Sequence, residues 1–472
     1  MTAAEATPTL TIVDHADTAF FGHPKGLAYL AFTEAWERFS YYGMQTLLVL
    51  YMVQYLLLPG HIERIALFDA FRTLPLYRGL DGQPLASAIF GTYAACVYLT
   101  PIAGGFIADR LLGKRLTVLA GAIIMALGHF LMAFELSFLF ALLCLIIGCG
   151  CLKGNLASQV GALYGPADLR RADAFQIYYL GINAGVIISS PIVGTLGQNV
   201  GWHWGFGAAG VGMLISLCIY IAGQKYLPAD HFRAQRKSAA SAAPREPMTR
   251  RDWLALAAVV LLIPVMAVAI VPNNQIFNAY LTWGDEHFDL QFFGWRFLSS
   301  YLITIDSIVS VSFLLIVSLF FRWYGKHWRE PDELTKIIIG SLFSIGGALC
   351  LFMAAATTPA GHKISMVWPM MFELSNSIGF ALTLPVSLAL FARLAPRALN
   401  ATVLGLYYLA FFGANALVGW VGGFYSTMPT TLFWLMHAGF AAASGAVFLL
   451  FKLFLAKRLM GAPEPGVDPL RT

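Results

Sequence analysis

"PADHFRAQRKSAASAAPREPMTRRD", residues Pro228 to Asp252, is a long polar stretch in a chain otherwise built of apolar segments. Its proline, alanine, serine and charge content cannot bury a core, and it reads as a flexible or amphipathic connection. On both sides lie apolar stretches of about twenty residues, the length that crosses a bilayer. Six precede it, at 27–58, 86–110, 115–134, 136–164, 173–199 and 204–227, and six follow, at 253–283, 296–322, 336–358, 365–394, 398–424 and 432–458. The pattern predicts an all-α integral membrane protein with twelve transmembrane helices. They form two six-helix bundles, 27–227 and 253–459, joined by a cytoplasmic linker, 228–252, with cytoplasmic tails at 1–26 and 460–472.

Composition points the same way. Of 472 residues, 58% are hydrophobic and 12% charged, against roughly a quarter charged in a soluble domain. So few charges cannot coat a water-soluble surface. The net charge of +5 does not imply nucleic acid, because the basic residues sit in short links and not on one patch. Cys96, Cys144, Cys149, Cys151, Cys218 and Cys350 all lie within apolar segments without zinc-site spacing, and read as packing residues. The first twenty residues carry Glu5, Asp14 and Asp17 and lack a basic stretch before an apolar core, so no cleavable signal is expected.

Cytoplasmic loops carry the excess of Lys and Arg. With the N-terminus inside, that side holds Arg110, Lys114, Arg115, Arg170, Arg171, Arg233, Arg236, Lys237, Arg245, Arg250, Arg251, Lys326, Arg329, Arg397, Lys457 and Arg458. The outer loops hold mainly Arg64, Arg72, Arg78, Arg296 and Lys363, so both termini are placed in the cytoplasm.

Ionisable side chains within hydrocarbon cost about 2.5 to 3.5 kcal/mol on insertion scales and mark function by default. Glu34, Glu37 and Arg38 lie in the first span, Lys153 in the fourth, Asp306 in the eighth and Glu373 in the tenth. Glu34 and Arg38 are four apart and share a helical face, with Glu37 within a turn of both. Two acids and one guanidinium leave a negative charge that a proton or Lys153 would balance. Such a cluster can exchange a proton as water reaches it from alternate sides; the alternative is a static ion network that locks helices together.

Two six-helix halves around a central loop is the layout of carriers that rock about a mid-membrane site. "GGFIADRLLGKR", Gly104 to Arg115, resembles the short loop motif of the major facilitator superfamily, and "RWYGKHWRE" from Arg322 echoes it in the second half. "EAWERFSYYG" from Glu34 is similar to the ExxER signature of the proton-dependent oligopeptide transporter family. "GTYAACVYLTPIAGGFIADRLLGKR", "GCGCLKGNLASQVGALYG" and "DAFQIYYLGINAGVIISSPIVG" resemble that family's second, fourth and fifth helices, in order. The second half is similar through "NQIFNAYLTW" from Asn274, "FALTLPVSLALFARLAP" from Phe380 and "LGLYYLAFFGAN" from Leu404.

The resemblance implies a proton-coupled importer of di- or tripeptides or peptide-like compounds in a bacterial inner membrane, acting as a monomer. It would need no cofactor beyond protons as coupling ion. Glu34, Glu37, Arg38 and, in the second half, Asp306 would handle the proton. Arg38 and Lys153 would receive the peptide carboxylate, and Tyr42, Tyr98, Asn183, Asn274, Gln275, Phe380 and Tyr407 would line the site.

Departures from the family pattern bear on substrate. Phe380 stands where the family has a glutamate for the peptide's amino group, and offers at most a cation–π face. Glu373, seven residues earlier, either takes a displaced version of that role or fixes the outer end of its helix. Gln45 and Asn274 replace a charged pair that can close an outer gate. Asp306 either supplies a protonatable carboxylate or is a lone acid kept neutral or hydrogen-bonded to Ser and Thr neighbours. A carrier of another anionic or amphipathic solute, drug efflux included, and a non-transporting receptor are the rival readings. No nucleotide-binding loop is present, and His129 and His437 are isolated, so neither ATP use nor an enzyme is expected.

Overall fold

A computed structural model describes residues 17–165, 168–228, 248–292, 294–395 and 400–456. The predicted N-terminal tail lies mostly, the C-terminal tail wholly and most of the linker, 229–247, outside the described residues. Among the described residues the fold is almost entirely helical. In lipid every backbone polar group must be satisfied within its own segment, and the helix does this.

The helices run in order α1 (Lys25–Tyr51), a short α2 (Phe68–Arg72), α3 (Gly82–Ile107), α4 (Lys114–Leu131), α5 (Phe138–Leu152), α6 (Asn155–Ala162), α7 (Arg170–Ser189) and α8 (Trp202–Gly223). The second half has α9 (Arg250–Asn274), α10 (Ala279–His287), α11 (Tyr301–Gly325), α12 (Glu333–Thr357), α13 (Val367–Leu394), α14 (Asn400–Gly422) and α15 (Thr430–Phe451). Eleven spans among the described residues are long and apolar enough to cross a membrane. Helix α1 has the length, 27 residues, but Glu34, Glu37, Arg38 and Gln45 lower its hydropathy. Its polarity is thus concentrated in the cluster singled out from sequence.

Two expected spans are interrupted and a third starts late. The fourth breaks at Lys153–Gly154, because Gly154 sits at φ +79° in the left-handed region that glycine tolerates. The seventh is broken by a 3-10 turn, Gln275–Phe277, after which Asn278 (φ −126°, ψ −106°) redirects the chain into α10. The eighth starts at Tyr301, later than expected, because Gln291–Phe292 pairs antiparallel with Trp295–Arg296 around Gly294 at φ +81°. The loop between the first two spans also contains α2.

The chain divides into two compact units, one drawn from Met1–Met44 and Thr100–Ala242, the other from Gln45–Leu99 and Ala243–Thr472. The expected first bundle is therefore split: the end of α1 and the beginning of α3 go with the second half. Small residues explain that grouping. A Cβ on Gly91 would lie 2.3 Å from Gly419 Cα, so α3 and α14 touch through their backbones. Next to that crossing Ser87 Oγ donates to Asn278 Oδ1 at 2.8 Å, and Gln83 Nε2 to the Gly422 carbonyl at 3.0 Å. The second unit's core is apolar, with Val259, Leu262, Met266, Ile337, Leu390, Phe391 and Phe448 buried together.

Close backbone packing also builds the first unit. Gly104 faces the Gly150 carbonyl, where a Cβ would sit 1.9 Å away, and Thr100 Oγ1 donates to the Ile146 carbonyl at 3.0 Å. These contacts seat α5 and fix the position of its last turn, next to Lys153.

Candidate functional site

Helix α7 approaches α1 through Gly181 and Gly185, whose hypothetical Cβ atoms would lie 2.9 Å from the Ala31 carbonyl and 2.2 Å from the Ala35 carbonyl. Tyr178, three and seven residues from them on the same face, is thereby carried to α1. Its hydroxyl donates to Glu34 Oε2 at 2.7 Å. Arg38 Nε donates to the other oxygen, Oε1, also at 2.7 Å, and lies 3.0 Å from Glu37 Oε2. Both oxygens of Glu34 are thus engaged. Glu37 is wholly buried, and although Arg38 is close, neither of its oxygens has a well-directed hydrogen bond among the described residues.

Lys153 is the residue at which the fourth span breaks. Its Nζ lies 4.7 Å from the centre of the Tyr41 ring, and the Arg38 guanidinium lies 5.9 Å from the same ring. Lys153 also acts electrostatically on Glu37. Two acids and two cations therefore lie close together, Glu34, Glu37 and Arg38 buried and Lys153 half-buried, with both cations over the Tyr41 ring. The structure brings Glu34, Glu37, Arg38 and Lys153 together and adds Tyr178 and Tyr41, which the sequence does not single out. The spacing of Tyr178, Gly181 and Gly185 carried the signal for the first.

The remaining expected site residues are distributed unevenly. Tyr42 stays beside the cluster, edge-on to Tyr41 at 5.2 Å. Asn183 does not join it: it points to the opposite side of α7 from Gly181 and Gly185 and donates to its own helix at the Tyr179 carbonyl, 2.8 Å. Tyr98 belongs to the second unit and stacks on Phe411 at 4.9 Å, which meets Tyr407 edge-on at 5.6 Å. Tyr407 is pinned by its hydroxyl, 2.8 Å from Ser387 Oγ and 3.1 Å from the Leu384 carbonyl. Asn274 donates to Asn415 Oδ1 at 3.3 Å, and the fully buried Gln275 donates to the Val418 carbonyl at 3.2 Å. Phe380 is half-buried on α13.

Asp306 and Glu373, weighed separately from sequence, are neighbours. Glu373 is fully buried and its Oε1 accepts from the Tyr280 hydroxyl at 2.9 Å. The carboxyl of Asp306 lies within hydrogen-bond reach of it. Ser310 links the two helices, 3.4 Å from Asp306 Oδ1 and 3.0 Å from Ser377 Oγ. Glu373 therefore does more than fix the end of its helix, and Asp306 is not a lone acid.

The six cysteines are free, and among the described residues no group of His, Cys, Asp and Glu is arranged to hold a metal ion.

A model of the POT family matches residues 115–243. Relatives similar along nearly the whole chain include a peptide transporter of Yersinia enterocolitica, 27% identical over 93% of this chain and 96% of its own. A di-/tripeptide transporter of Lactococcus lactis is 28% identical over 95% of this chain and 99% of its own. A crystal structure of a peptide transporter POT in complex with sulfate matches with a TM-score of 0.80 and 26% identity, covering 94% of this chain and 98% of that one.

Proposed function

We propose that the chain is a proton-dependent oligopeptide transporter of the POT family, with the fold of the major facilitator superfamily, and that it imports di- or tripeptides, or peptide-like compounds, together with protons. It is a multi-pass secondary transporter and not an enzyme. The observation that carries the reading is the close grouping of buried Glu34, Glu37 and Arg38 with half-buried Lys153.

Charge counting gives the mechanism. With both acids ionised the four groups are balanced, and a peptide carboxylate would bring an uncompensated negative charge into low dielectric. A proton on one acid leaves a cation free. Glu34, held by Tyr178 and Arg38 on both oxygens, is anchored as the carboxylate. Glu37, whose oxygens lack directed donors, takes the proton. Arg38 meets the acids through Nε, which leaves the forked end of its guanidinium suited to a carboxylate. Peptide and proton thus bind together, and each favours the other's presence.

On this reading Tyr98, Phe411 and Tyr407 form an aromatic group within the second unit. The amino group meets no acid at Phe380, which favours substrates whose amine is blocked, absent or held by an aromatic face. The Lys and Arg bias supports cytoplasmic termini, and the bacterial relatives support a bacterial inner membrane. No cofactor beyond the proton is assigned, and the carrier is taken as a monomer.

Reconstituted vesicles with an imposed pH gradient test the proposal. Labelled dipeptide should accumulate, and unlabelled dipeptides but not free amino acids should compete. Gradient-driven extrusion of an amphipathic drug with no dipeptide uptake would favour the antiport rival; dipeptide binding without counterflow would favour a receptor.

A further inference from the structure

A fully buried carboxyl and a half-buried one that meet without a cation between them resist joint ionisation, since like charges in a low dielectric repel by several kcal/mol. Asp306 on α11 and Glu373 on α13 meet in this way. The side chains around them come from three helices: Asp306 and Ser310 from α11, Glu373 and Ser377 from α13, and Tyr280 from α10. Behind Tyr280 lies Trp434 of α15, at 6.4 Å between ring centres, and behind that His437, at 5.3 Å from Trp434. His437 is turned away, with Nδ1 on its own helix at the Phe433 carbonyl, 2.8 Å. Among the described residues no lysine or arginine acts on either carboxyl.

A second observation points to a missing ligand. Glu373 Oε2 is fully buried and has no donor among the described residues, and one turn on, the buried Asn376 Nδ2 also lacks a partner. The neighbour within reach of Glu373 is the Asp306 carboxyl, which can donate only if it carries a proton. A proton bound between the two acids therefore supplies both the donor that Glu373 lacks and the charge relief that the site needs.

We propose that Asp306 and Glu373 form one proton-binding site in the second half of the chain, separate from the first-helix cluster, in which the two carboxyls act as a single unit and Tyr280 orients Glu373. The proton is taken from water onto a carboxylate oxygen when α11 and α13 part, is held while they are packed together, and is returned to water when they part again. Its part in transport rests on the carrier reading above, and it adds a second proton to the cycle. Because the pair titrates as a unit, its two members are not additive.

The test has two arms. Infrared difference spectra of the purified protein at neutral pH read the pair without any transport. The carbonyl stretch of a buried carboxylic acid should be lost by the same amount in Asp306→Asn, in Glu373→Gln and in the double variant, since an amide in place of either acid supplies a donor and leaves the other ionised. Tyr280→Phe should shift that band and not remove it. In vesicles, the proton-to-peptide ratio from reversal potentials should fall by about one proton in either single variant and no further in the double. No band difference in any variant, or losses that add in the double, would overturn the pair as a proton site. An unchanged ratio in both single variants would overturn its part in coupling. If the wild type moved no peptide at all, the carrier reading would fail while the infrared result still decided the pair. Should Glu373→Gln not fold, Asp306→Asn and Tyr280→Phe carry the same decision.

Discussion

Glu34 and Glu37 differ by three positions and by everything around them. Tyr178 and Arg38 occupy both oxygens of Glu34, whereas Glu37 is buried with room for a proton. Removing the Tyr178 hydroxyl strips a hydrogen bond from a charged acceptor, worth about 1.5 to 3 kcal/mol. Tyr178→Phe is therefore expected to fold normally, shift the pH profile of uptake and raise the half-saturating peptide concentration tenfold or more. An unmoved profile would take Tyr178 out of the site. Phe380→Glu tests the substrate's other end: tighter binding of ordinary dipeptides would mean that the native substrate does not offer a free amine to an acid here. Weaker binding would mean that the apolar ring is itself a contact. These residues show what was legible in the sequence. Ionisable groups in apolar segments stand out because hydrocarbon makes them costly, so Glu34, Glu37, Arg38, Lys153, Asp306 and Glu373 were visible one by one. Tyr178 was not, since a tyrosine carries no such penalty and its role depends on how closely two backbones approach.

Helices carry these side chains to their places, and their ends and crossings are where substitution is most informative. Gly185 lets α7 lie on α1. A Cβ there would stand 2.2 Å from the Ala35 carbonyl, so Gly185→Ala should cost about 1 to 3 kcal/mol through overpacking and lower the melting temperature in detergent; unchanged melting would mean that the two helices can part without loss. At the start of α12, Asp332 caps the helix by accepting from the Thr335 N–H at 2.8 Å. Burial pushes its carboxyl up, but the Thr335 hydroxyl, the Lys452 ammonium and the Thr335 N–H together hold it below the usual carboxylate range. A carboxyl depressed on folding stabilises above its unfolded pKa and loses that contribution as pH falls through the folded value. Asp332→Ala should therefore melt lower than wild type at neutral pH and approach it below about pH 4. A gap that persisted in acid would assign the effect to packing. Helix existence was readable from apolar length alone. The breaks at Lys153–Gly154 and after Asn274 were not, because a run of apolar residues looks the same whether the backbone within it is continuous or turned.

Across the molecule, the twelve-span layout followed from one polar linker and the spacing of apolar runs. The grouping into compact units did not, because it depends on backbone contact between α3 and α14 at Gly91 and Gly419, residues with no side chain to betray a partner. A carrier that alternates its access must part such a contact during the cycle. Gly91→Leu, which cannot maintain it, should reduce transport strongly while peptide binding to the detergent-purified protein persists; normal transport would mean that this crossing is not part of the moving seal. The account as a whole turns on a proton at Glu37 making room for a peptide carboxylate beside Arg38 and Lys153. The most direct test compares pH-gradient-driven accumulation of a labelled dipeptide with its counterflow in vesicles containing wild type or Glu37→Gln. The prediction is accumulation and counterflow in wild type, with counterflow alone in the variant; accumulation by Glu37→Gln at the wild-type level would contradict it.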